Sequence, residues 1–152
     1  MTKFVKTIEI ITHSEKETFE WAENFGKSLK KGSVVALYGT LGAGKTVICR
    51  GICKGLGYSG QVNSPTYTIV HEYPNAELPL FHLDLYRLPP HADLNEIGVD
   101  YYMSSEGVTL IEWPERLEEE TASITHRLNI EIIEEDSRKI SVETISKAEN
   151  PS

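Results

Sequence analysis

Eight consecutive residues, Gly39-Thr40-Leu41-Gly42-Ala43-Gly44-Lys45-Thr46, combine types and spacings that suit one chemistry, the binding of nucleotide phosphates. The run fits G-x-x-x-x-G-K-[ST]. Gly39, Gly42 and Gly44 allow backbone angles and close approaches that a Cβ blocks. The amides of Leu41, Gly42, Ala43 and Gly44 can then turn inward as an anion nest at a helix start, where the helix dipole also favours negative charge. Lys45 adds a cation for the β- and γ-phosphates, and Thr46 a hydroxyl for Mg²⁺.

A phosphate cradle binds; hydrolysis also needs a carboxylate near Mg²⁺ and a group that orients water. Glu112 follows the apolar run Val108-Thr109-Leu110-Ile111, the form of a strand ending in an acid at the rim where ligands of open α/β sheets lie. It is the expected Mg²⁺-side carboxylate, acting through a water because Mg²⁺ keeps several. Asp84 ends a second apolar run, with His82 two residues earlier on the same pleat face. Asp84 either shares the metal shell or orients the attacking water. Lys45, Asp84 and Glu112 are the candidate catalytic residues, and Thr46 and Glu112 the candidate metal ligands. His82 is expected to satisfy a local hydrogen bond rather than act as a base, and Arg87 either neutralises transition-state charge or pairs with surface carboxylates. Trp113-Pro114 forms either a wall of the site or a docking surface, unless Trp113 packs into the core. Ser64-Pro65-Thr66-Tyr67-Thr68 either occupies the place of a phosphate-sensing switch, with Pro65 pre-setting Ser64 to extended angles, or is a plain threonine-rich entry to an edge strand.

These groups need a scaffold. Val34–Tyr38 reads as a buried parallel strand before the loop, and Thr46–Lys54, ended by Gly55 and Gly57, as the helix after it. Phe4–Ile11 reads as a strand around Val5, Ile8 and Ile10. Ser14-Glu15-Lys16-Glu17 has the form of a capping box, and Phe19, Ala22, Phe25, Gly26 and Leu29 give an amphipathic helix over 14–30. Thr12, His13 and Ser14 either lie near the base of the nucleotide or serve only to cap that helix. Thr66–Val70 and Leu80–Asp84 read as strands joined by a turn over 73–77, and a short helix is expected within 92–103. Residues 115–123 are helix or exposed loop. Leu128–Ile133 and Ile140–Ile145, around Glu134-Glu135-Asp136-Ser137, form a terminal hairpin, after which Lys147–Ser152 frays.

The chain has 152 residues, 39% hydrophobic and 25% charged, a single domain that buries roughly 68–70% of its unfolded surface. No apolar run approaches the about 20 residues that span a bilayer, and Met1-Thr2-Lys3-Phe4 begins no signal peptide, so a cytoplasmic protein is expected. Cys49 and Cys53 lie four apart and read as small buried hydrophobes. The net charge is −8, with nine Lys and Arg against six Asp and Glu in residues 1–76 and six against seventeen in 77–152. That balance argues against autonomous nucleic-acid binding.

Together these stretches resemble the TsaE (YjeE) family of small bacterial P-loop ATPases. The matches are Ser14–Thr18, Leu37–Thr46, Ser64–Thr68, His82-Leu83-Asp84-Leu85-Tyr86-Arg87-Leu88 and Ile111-Glu112-Trp113-Pro114-Glu115. The resemblance implies a three-layer α/β P-loop NTPase fold with a central, mostly parallel sheet and a C-terminal antiparallel hairpin. It implies ATP and Mg²⁺ as cofactors, Mg²⁺ held by Thr46 and Glu112, hydrolysis dependent on Asp84, and Arg138 reaching the nucleotide. It further implies a role in threonylcarbamoyladenosine modification of tRNA, with TsaD and TsaB as partners and tRNA met only through their complex. Two other functions remain open at this level: a small-molecule kinase, disfavoured by only four scattered arginines in 77–152, and a nucleotide-gated binding module. A GTPase lacks its N-K-x-D guanine reader.

Overall fold

The computed structural model describes residues 3–39, 43–60, 70–73, 78–85, 106–113 and 124–147. Within them the chain forms β1 (Lys3–Thr12), α1 (Glu15–Lys27), β2 (Val34–Tyr38), α2 (Lys45–Gly55), β3 (Val70–Tyr73), β4 (Leu80–Asp84), β5 (Val108–Glu112), β6 (His126–Ile132) and β7 (Arg138–Lys147). The strands make one sheet in the order β1-β7-β6-β2-β5-β4-β3. The three central pairings, β6–β2, β2–β5 and β5–β4, are parallel. The flanking pairs β1–β7, β7–β6 and β4–β3 are antiparallel.

Four apolar residues in a row cannot alternate between core and water, and Val34–Leu37 are all fully buried. Val35 and Leu37 join the core beneath the helices with Leu110 and Leu128. On the other face Val34, Ala36, Leu83 and Ile111 are equally buried, so the sheet centre is covered on both sides, as a three-layer α/β build requires. The β6–β7 hairpin falls where expected, closed by Ser137 N–H donating to the Glu134 carbonyl at 3.2 Å.

Helix α1 starts as its sequence demands. Ser14 is the N-cap, its hydroxyl accepting from the Glu17 N–H at 3.0 Å, with Glu15 and Glu17 in the first turn and Lys27 in the last, each complementing the helix dipole. It ends at Lys27 rather than 30. The buried line runs through Thr18, Ala22 and Gly26, while Phe19 and Phe25 flank it half-buried. Close packing against α2 explains the shift. An ideal Cβ on Gly26 would meet the Ile52 carbonyl oxygen at 2.5 Å, and one on Gly51 would meet Ala22 Cβ at 2.6 Å. The helices touch through small residues, leaving the aromatic rings no place at the centre.

β1 also departs from its pattern: Val5 and Ile8 are exposed. An outer strand receives packing from few neighbours, so its apolar residues do not all reach the core. The strand residues 66–69, the turn 74–77, the helix within 92–103 and the 115–123 segment lie outside the described residues.

Candidate active site

The C-terminal ends of β2, β4 and β5 converge on the start of α2. Leu37, Glu112 and Asp84 are register partners across the three strands. Residues paired in a parallel ladder point to the same face, so both carboxylates lie on the α1–α2 side of the sheet. Gly44 caps α2 at φ +105°, a left-handed angle that disfavours any Cβ, and it offers no side chain to the first amides. That cradle at a helix N-terminus, with a lysine and a hydroxyl next in line, has the donor chemistry of a phosphate site. Leu41 and Gly42 lie outside the described residues, as do Ser64–Thr68 and Arg87.

Lys45 is 6% exposed, and its ammonium stands 3.9 Å from the centroid of the Trp113 ring. Trp113 holds φ +60°, an angle rare for a bulky side chain, costing about 1–3 kcal/mol. Trp113 is half-buried and lies against Lys45. A cation desolvated against a ring face gains about 2 kcal/mol, which helps offset the burial of Lys45.

On the other flank Arg138 opens β7 and brackets the glycine loop. Its Nε donates to the Ala43 carbonyl at 3.0 Å, while Nη1 donates to the carbonyls of Glu134, Glu135 and Ser137. A recess of about 200 Å³ opens here, lined by Glu15, Thr18, Ala43, Gly44, Asp136 and Arg138. Thr12 stands behind it. Thr18 donates to the Ser14 carbonyl at 3.1 Å, so the 2.6 Å contact between the two threonine hydroxyls is a donation from Thr12 to Thr18.

Beneath Glu112 lies a buried network. His82, completely buried, has Nε2 2.7 Å from Glu112 Oε2, Nδ1 3.1 Å from the Tyr73 hydroxyl, and Cys49 Sγ 3.7 Å from Nε2. Burial chiefly, then nearby charges, raises the Tyr73 hydroxyl above its ordinary range. Burial first, then the Glu112 carboxylate, holds the Cys49 thiol well above its own; Lys45 acts on that thiol in the opposite sense. Burial pushes Cys53 up to about 12. The expectation that His82 satisfies a local hydrogen bond holds, and both cysteines are buried. What sequence reasoning did not join is His82 to Glu112, or either to Tyr73 and Cys49. The only hint was His82 sharing a pleat face with Asp84; the rest needs the β4–β5 register.

A buried parallel strand leading into a helix, with carboxylates ending neighbouring strands, is an arrangement that α/β proteins use to bind phosphates. Residues 12–140 match the family model described as "Threonylcarbamoyl adenosine biosynthesis protein TsaE". Two relatives carry the description "tRNA threonylcarbamoyladenosine biosynthesis protein TsaE". That from Treponema pallidum is 36% identical over 87% of this chain and 97% of its own length, and that from Bacillus subtilis 37% identical over 90% and 85%. The solved crystal structure of YdiB from Bacillus subtilis superposes with a TM-score of 0.77 at 32% identity, covering 94% of this chain and 88% of that one. The chain belongs to the TsaE family.

Proposed function

We propose that this chain is an Mg²⁺-dependent ATP-binding protein that hydrolyses ATP slowly and serves threonylcarbamoyladenosine modification of tRNA in the cytoplasm, acting on a TsaD–TsaB complex. The observation that carries the reading is the alignment of Asp84 and Glu112 beside the loop that bears Lys45 and Thr46. In this reading Lys45 and the first amides of α2 hold the β- and γ-phosphates. Thr46 and Glu112 hold Mg²⁺, which when bound spreads the charge developing on the phosphoryl oxygens. Asp84 accepts a hydrogen bond from the attacking water and orients it. Arg138 and Thr18 border the recess in which the base and sugar lie, with Thr12 fixing Thr18. The acidic C-terminal half supports contact with tRNA through partners rather than directly.

Phosphate release from ATP, measured alone and with purified TsaD and TsaB, tests the proposal. The expected result is slow release that the pair accelerates, and pull-down of the pair that differs between ATP and ADP. A phosphorylated metabolite in place of free phosphate would make the chain a kinase. Retained function in a hydrolysis-dead variant would make it a nucleotide-gated module.

A further inference from the structure

The buried contacts under Glu112 have a direction. The Glu112 carboxylate can only accept, so the 2.7 Å contact between its Oε2 and His82 Nε2 places the imidazole proton on Nε2. In the neutral ring Nδ1 is then the acceptor, and the Tyr73 hydroxyl 3.1 Å away donates to it. The chain of donation therefore runs Tyr73 O–H to Nδ1, then Nε2–H to the carboxylate. It crosses β3, β4 and β5, three neighbours in the sheet. A carboxylate anchored by one charge-assisted hydrogen bond from a fixed ring loses most of its freedom about the last side-chain torsion.

We propose that His82 is a positioning residue for Glu112: with Tyr73 holding its other nitrogen, it anchors Oε2 and so fixes the orientation in which the carboxylate meets Mg²⁺. The proposal rests on the reading of Glu112 as the Mg²⁺-side carboxylate. It is the arrangement seen around metal sites, where groups behind the ligands tune affinity by about 10–100-fold.

A metal held directly by Cys49, His82 and Glu112 fits less well, although their ligand atoms lie within 4.8 Å of one another. Two donors on one tetrahedral zinc stand about 3.3 Å apart for bonds of about 2.0 Å. The 2.7 Å between His82 and Glu112 is a hydrogen-bond distance instead.

Two measurements on the full chain test the relay. The first is nitrogen-15 NMR of the histidines without nucleotide or metal. His82 is expected as the Nε2–H tautomer, with Nε2 shifting in Glu112→Gln and Nδ1 in Tyr73→Phe. An Nδ1–H tautomer, or a ring indifferent to Glu112→Gln, overturns the relay whatever the protein binds. The second is the Mg²⁺ concentration for half-maximal enhancement of ATP binding. It should rise on the order of 10-fold in His82→Leu, about threefold in Tyr73→Phe, and less in His82→Gln, which keeps an N–H near the Nε2 position. ATP affinity in EDTA should stay within about twofold of wild type. If His82→Leu does not fold, the other two variants carry the test. An unchanged Mg²⁺ requirement in the His82 and Tyr73 variants, with Glu112→Gln clearly raised, overturns the positioning role. If Glu112→Gln leaves the requirement unchanged as well, the Mg²⁺ role of Glu112 fails, and the NMR result alone decides the relay.

Discussion

The parallel centre of the sheet and its antiparallel flank bury their residues differently. In β2 and β5 nine of the ten residues are buried, on both faces, and the two groups offered to chemistry from these strands and β4, Glu112 and Asp84, stand at the strand ends. In β1, β6 and β7 only the helix-side residues, such as Leu128, Ile130, Ile140 and Val142, reach the core. Their other face carries Thr7, Arg127, Asn129, Ser141 and Glu143 around a groove of about 320 Å³, and Val5 and Ile11 are exposed beside them. Even the polar side-chain contacts differ. His82 and Glu112 meet at 2.7 Å in the interior; Arg127 and Glu143 stand 3.8 Å apart and about 40% exposed, where solvent screening leaves such a pair about 0–1 kcal/mol. The contrast is that the strand ends bearing Asp84 and Glu112 belong to the part of the sheet covered on both faces. A carboxylate at the end of a doubly covered strand has little room to drift, whereas the flank supplies width, and one bracket, Arg138, to the loop.

Substitutions at the centre should therefore cost far more than substitutions on the flank. Lys45→Ala should weaken ATP binding on the order of 10²- to 10³-fold, as expected for one charged donor lost from a dry site. Calorimetry showing unchanged affinity would move the chemistry away from the centre and break the contrast. Asp84→Ala should retain binding but slow phosphate release on the order of 10²-fold. Equal losses in binding and turnover would place Asp84 on the metal instead, which divides the two carboxylates' roles more sharply.

The covering layer makes its own prediction. Gly51→Val places atoms where Ala22 Cβ and the Phe19 carbonyl already stand, and should destabilise by about 2–3 kcal/mol in urea unfolding. An unchanged midpoint would mean that α1 and α2 part easily. The cysteines of α2 predict a pH effect. Cys53 has its folded thiol raised from 9.0 to about 12, so the unfolded chain releases that proton first as pH rises. Its contribution is complete below pH 9 and is lost between pH 9 and 12, at about 1.4 kcal/mol per pH unit. Urea midpoints measured across that range check it, with a Cys53→Ala variant removing this share of the slope. Smallest of all, Val5→Thr should change stability by no more than about 0.5 kcal/mol, since this flank side chain is 56% exposed. A loss above 2 kcal/mol in the same unfolding series would show that β1 is covered after all.

Much of the centre was legible from residue order alone. Val34–Tyr38 is the strand that its apolar run predicts, Ser14 caps α1 as the S-x-x-E form predicts, and Asp84 and Glu112 end their strands. Those features depend on contacts within a few residues or on burial of a continuous run. The flank was less legible: Val5 and Ile8 have the composition of core residues and are exposed, one on each face of β1, because burial depends on what packs above them. The small-residue line of α1 was hidden for a similar reason. Phe19 and Phe25 look like its centre until Gly26 and Gly51 are seen in contact with the partner helix.

The sequence by itself determined the strand and helix on either side of the loop, the strand ends that carry acids, and the family, because each is written in neighbouring residues. Only the tertiary structure decided that Trp113 lies against Lys45, that Arg138 grips the loop from 95 residues away, and that His82 holds Glu112. These contacts join residues far apart in the chain. Their distances follow from strand order and register, which depend on how the whole sheet packs rather than on any local pattern.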